Sequence, residues 1–64
     1  MSLWAEMSIP ELNEEHSIAL DEYHQLQQLY RQRPSDETLR DINCTQIVID
    51  SIEYELQQRR IINR

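Results

Sequence analysis

Ile42-Asn43-Cys44-Thr45-Gln46-Ile47-Val48-Ile49-Asp50-Ser51-Ile52-Glu53-Tyr54-Glu55-Leu56 is the stretch whose reading decides the fold. Ile42, Thr45, Ile49, Ile52 and Leu56 recur at steps of three and four, which is the seam of a packed helix. Cys44, Ile47, Ser51, Tyr54, Gln58 and Ile61 recur at the same steps on the far side of the same helix. One stripe can be buried by another helix of the chain. The second then needs a different surface, so the pattern points to a chain that binds protein, itself included.

The rest of the sequence supplies one partner helix. Ser8-Ile9-Pro10-Glu11 reads as a capping box with proline in the first turn. From there Leu12, His16, Ala19, Tyr23, Leu26 and Tyr30 step by four and three. Arg33 precedes Pro34 and is pushed out of the helical region, so helix 1 is expected over about residues 10–32. Pro34-Ser35-Asp36-Glu37 combines turn, cap and acidic first turn, and helix 2 is expected over about 36–60. The fold expected is all-α: an antiparallel two-helix hairpin over residues 10–64 with its turn at 33–35. It would assemble into a four-helix bundle or dock on a helical partner. Glu11, Glu14 and Glu15 would then lie near Arg59, Arg60 and Arg64, each cluster at the favourable end of its own helix dipole.

Size reinforces the need for a partner. The chain has 64 residues, and a domain this small buries only about 60% of the surface its unfolded form exposes. Small domains compensate with disulfides, metals or association. One cysteine forms no internal disulfide and no zinc cluster, which leaves association. A lone cysteine also suits a reducing cytoplasm.

Composition narrows the function classes. There is no glycine, so phosphate-binding loops and nucleophile elbows are not expected. Net charge is −6, a poor match for nucleic acid, and no stretch has the length and apolarity of a membrane span or signal peptide. Residues 1–30 hold six acids and no base, whereas residues 31–64 hold six of each sign. A nucleic-acid-associated regulator would have to use Arg31, Arg33, Arg40, Arg59, Arg60 and Arg64 lined up by a dimer.

The candidate chemical residues have bland readings. His16 falls on the seam as a core histidine, or as a polar register marker or pH switch, and His24 reads as a solvated surface residue. Asp21-x-x-His24 has ligand spacing, yet helix 2 lacks the histidine that a carboxylate-bridged site would need, so no metal or other cofactor is expected. Cys44 has only Arg40 as a cationic neighbour. A lone hairpin offers no cleft, and enzyme activity is not expected.

The residues expected to contact a partner are Ile47, Val48, Tyr54 and Ile61, with Trp4 and Cys44. Ile18 and Leu29 add apolar surface off the helix 1 seam. Residues 1–9 form an apolar arm of Leu3, Trp4, Met7 and Ile9. Two uses fit it: a short helical turn folded over the end of the hairpin, or an arm whose Trp4 anchors a partner.

Ala19-Leu20-Asp21, Pro34-Ser35-Asp36 and the closing Ile61-Ile62-Asn63-Arg64 resemble parts of type III secretion needle subunits, which are helical hairpins. Helix 1 before the turn is longer here and helix 2 shorter. In size, acidity and two-helix layout the chain is more similar to the small co-chaperones that hold a needle subunit in the cytoplasm. That resemblance implies a binding function without catalysis: an adaptor, co-chaperone or inhibitor. Ser17-Ile18-Ala19-Leu20-Asp21 resembles the motif of small hairpin phosphatases of sporulation control, but it lies on the first helix instead of the second. Leu29-Tyr30-Arg31 is similar to the mitochondrial Leu-Tyr-Arg signature, whose proteins are longer and usually basic. A structural assembly subunit is the remaining alternative.

Overall fold

The computed structural model describes residues 3–62 and the side chains of residues 4–60. A 3-10 turn, Leu3–Glu6, leads into α1, Ile9–Gln32, and α2, Asp36–Ile62. The two long helices pack against each other as a two-helix hairpin, and the 3-10 turn packs on α2. The molecule is a rod 45 Å long, with a radius of gyration of 13.8 Å. A compact domain of this length would have about 11 Å. So little thickness leaves room for one layer of core.

Each helix starts where its cap dictates. Ser8 has an extended backbone and its Oγ accepts from the Glu11 N–H, while the Glu11 carboxylate accepts from the Ser8 N–H at 3.0 Å and from the Ser8 hydroxyl at 2.8 Å. Those bonds, the backbone one first, hold the Glu11 carboxyl below its ordinary value. At the far end the Arg33 N–H bonds the Leu29 carbonyl at 2.8 Å, and Pro34 stops the helix. Ser35 then caps α2, its Oγ accepting from the Thr38 N–H at 3.1 Å. No described residue takes a positive φ, which is how a chain without glycine makes this turn.

The core among the described residues is Leu12, Ala19, Ile49 and Ile52, with Thr38 buried at the turn. Leu12 and Ile52 are fully enclosed, each contributing roughly 1.5–3 kcal/mol by burial. Both lie in the half of the hairpin away from the turn, on the side where the 3-10 turn sits. Tyr23, Leu26, Tyr30, Ile42 and Thr45, nearer the turn, are only half-buried. None of the described helices is long and apolar enough to cross a membrane.

Candidate protein-binding face

A helix turns about 100° per residue, so Ile47 and Tyr54 stand roughly opposite Ile49 and Ile52. The exposures follow. Ile49 and Ile52 are 4% and 0% exposed, whereas Ile47 and Tyr54 are 65% and 64% exposed. Val48 is exposed on the flank. Polar members of the outer stripe are reconciled with the helix locally: the Ser51 hydroxyl donates to the Ile47 carbonyl at 2.8 Å. Ser51 therefore presents a small surface whose hydrogen bond is already made.

Trp4 reaches the same face. Its residue lines a shallow groove of about 430 Å³ with Asp50, Ser51, Tyr54 and Glu55. The arm is held there by Arg59, whose Nη2 donates to the Trp4 carbonyl at 2.9 Å and to the Ala5 carbonyl at 3.2 Å. The same guanidinium meets Glu55 Oε1 at 3.3 Å, one turn back on α2. A cation with planar, directed donors is suited to gathering two carbonyls and a carboxylate.

This arrangement differs from the charge pairing read in the sequence. Among the described residues no ion pair joins the acids of α1's first turns to the arginines ending α2. Glu11 is occupied by its cap, and Arg59 by the arm and Glu55. Arg60 instead borders a groove with Asn13, His16 and Glu53. Arg64 lies outside the described residues, as do the side chains of Leu3 and Ile61. Ile61's partner-binding assignment therefore has no structural counterpart here.

Cys44 is exposed but turned aside from Ile47 and Tyr54, lining a different groove with Glu22, Leu26, Asp41 and Thr45. The structure brings Trp4 and Tyr54 together at one groove and leaves Ile47 and Val48 exposed on the same helix. On the opposite edge, half-buried His16 sets Nε2 3.1 Å from Glu53 Oε2, bridging α1 and α2. The sequence reading does not single out Glu53, although His16 and Glu53 stand about equally far from the turn and an antiparallel hairpin brings them to the same level. Within the Arg59 clamp the i,i+4 pairing with Glu55 is legible in the sequence, but the hold on the arm is not, because its acceptors are backbone carbonyls.

The fold and this face together define a two-helix hairpin with one helix apolar on both sides. Comparisons with family models, curated proteins and solved structures returned no match for the chain.

Proposed function

We propose that the chain is a non-enzymatic protein–protein interaction module that works in the cytoplasm through the outer face of α2. The observation that carries this is the exposure of Ile47 and Tyr54 on a helix whose inner face already supplies the core. Large apolar side chains that no fold requires outside are what a binding face supplies. Trp4, set beside Tyr54, adds a residue type enriched where binding energy concentrates. The occupant is a helix, since a stripe at steps of three and four matches a helical ridge. Adaptor, co-chaperone and inhibitor all use such a face, and the resemblance to small secretion co-chaperones agrees with it.

The nucleic-acid alternative draws no support from Arg59, which is committed to Trp4, Ala5 and Glu55. The test is site-specific photocross-linking in cells expressing the chain. A photoreactive residue at Ile47 should capture protein, its own copy included, while one at exposed Gln28, among polar residues on the back of α1, should not. Equal yields at the two positions would sink the reading. Binding that instead depends on the arginines and weakens steeply with salt would favour nucleic acid.

A further inference from the structure

We infer that the outer face of α2 is self-complementary and pairs with the same face of a second copy of this chain, the two α2 helices running antiparallel. The inference rests on the reading above and names its occupant. The groove has aromatic walls at Trp4 and Tyr54, a small residue between them at Ser51 and carboxylates at Asp50 and Glu55. A groove of that chemistry takes an aromatic ring that carries a hydrogen-bond donor at its tip. The chain displays such a group on the groove's own wall, in Tyr54, which is 64% exposed and whose hydroxyl can donate to a rim carboxylate of a second copy. Each copy thus presents both the knob and the hole, as a two-fold interface requires. Seating Tyr54 over Ser51 of the partner subunit also sets a large side chain against a small one, in both directions at once.

Charge decides the direction. Extending the heptad of the stripe to its flanks puts Asp36 and Asp50 on one side, and Asp41 and Glu55 on the other. A parallel pair in register would oppose Asp36 to Asp41 and Asp50 to Glu55, two like-charge contacts that symmetry doubles. In the antiparallel pair flanks meet their own kind. With Tyr54 over Ser51, Asp50 then comes beside Gln57 and Glu55 beside Val48, and neither meets a like charge. The helix dipoles are opposed as well. Because the stripe points away from α1, the four helices lie in a row, with α1 outermost on both sides.

The experiment is sedimentation equilibrium of the purified chain, followed by disulfide trapping in a Cys44→Ser background. The expected result is a dimer at twice the chain mass that is lost in Tyr54→Ser and in Ser51→Trp, with helicity unchanged in both. Ser51→Cys and Tyr54→Cys chains, mixed and oxidised, should link to each other, while neither should link efficiently to itself. A monomer at millimolar concentration overturns self-pairing, as does a dimer that survives both substitutions. Rapid linking of Ser51→Cys alone overturns the antiparallel direction, because a parallel pair sets that residue against its own copy. If the chain is monomeric yet Ile47 captures a different protein in cells, the binding-face reading stands and only the second copy is wrong. If neither occurs, both fail.

Discussion

Ile52 and Ile47 are the same residue type on the same helix, five positions apart, and they live in different solvents. Ile52 is fully enclosed and Ile47 is 65% exposed. The inner face exists because α1 covers it; the outer one meets only the arm, where Trp4 borders Ser51 and Tyr54, and Ile47 is left open. Folding and binding are thereby assigned to different faces of α2, and substitutions on one face should leave the other's job intact. α1 does not share this duality, since its seam faces inward and its back is mostly Glu, Gln and Asp around the single exposures of Ile18 and Leu29.

The largest effect is expected on the inner face. Ile52→Ala removes a buried side chain from a core of four apolar residues, and such truncations cost about 2–5 kcal/mol. Small domains have little stability to lose. Thermal unfolding followed by circular dichroism should show the hairpin largely melted at ambient temperature. A variant that keeps its wild-type midpoint would mean that Ile52 is not enclosed as described.

The next effect lies where the arm is fastened to α2. Arg59→Ala removes donors to the Trp4 and Ala5 carbonyls and the contact with Glu55. Charge-assisted hydrogen bonds are worth about 1.5–3 kcal/mol when well shielded, so about 1–2 kcal/mol is expected for this partly exposed set. Trp4 fluorescence should shift to the red as the indole meets water, with little loss of helix. An unshifted spectrum would show that the arm is held by packing alone.

Losing the cap comes third. Ser8→Ala should cost about 1 kcal/mol at neutral pH, read from the same melts. Glu11 adds a pH dependence whose sign is set by its lowered value. A carboxyl that is more acidic folded than unfolded stabilises fully above its ordinary 4.5, and the contribution disappears as pH falls through the folded value. Glu11→Gln should therefore flatten the acid limb of the stability profile and leave the alkaline side unchanged. Unchanged acid sensitivity would remove Glu11 from the cap's energetics.

Fold and face were legible in the sequence to different depths. The caps at Ser8 and Ser35 and the stop at Pro34 are local, with partners within four residues, so reading them needs no tertiary knowledge. The exposure of Ile47, Val48 and Tyr54 follows from spacing, because 3.6 residues per turn puts them away from Ile49 and Ile52. Three things were harder. Charge alone sets Arg59 near the acids that open α1, whereas its donors go to Glu55 one turn back and to two backbone carbonyls, which every residue carries and no sequence marks. Trp4 had two uses in view, and the structure sets it against the outer face at Tyr54. Cys44 shares the outer stripe's spacing, yet three residues fall short of a full turn, so it drifts from Ile47 towards the groove with Glu22 and Asp41. What occupies a face is a property of two molecules, and only one is written here.

The smallest effect on stability is therefore the most informative. Ile47→Ser changes an exposed apolar residue whose neighbours in the hairpin do not depend on it, and such surface substitutions stay within about 0.5 kcal/mol. Measured by chemical denaturation in dilute solution, the midpoint should barely move, in contrast to Ile52→Ala. In concentrated solution the wild-type midpoint should rise with chain concentration, because anything that binds only the folded state stabilises it by mass action. The serine variant should lose that dependence, since the stripe that pairs is interrupted beside Ser51. Equal concentration dependence in the two chains would mean that association uses another surface, and the division between the faces of α2 would then have no role in binding. A large drop in dilute-solution stability would break the comparison from the other side, by showing that Ile47 belongs to the fold.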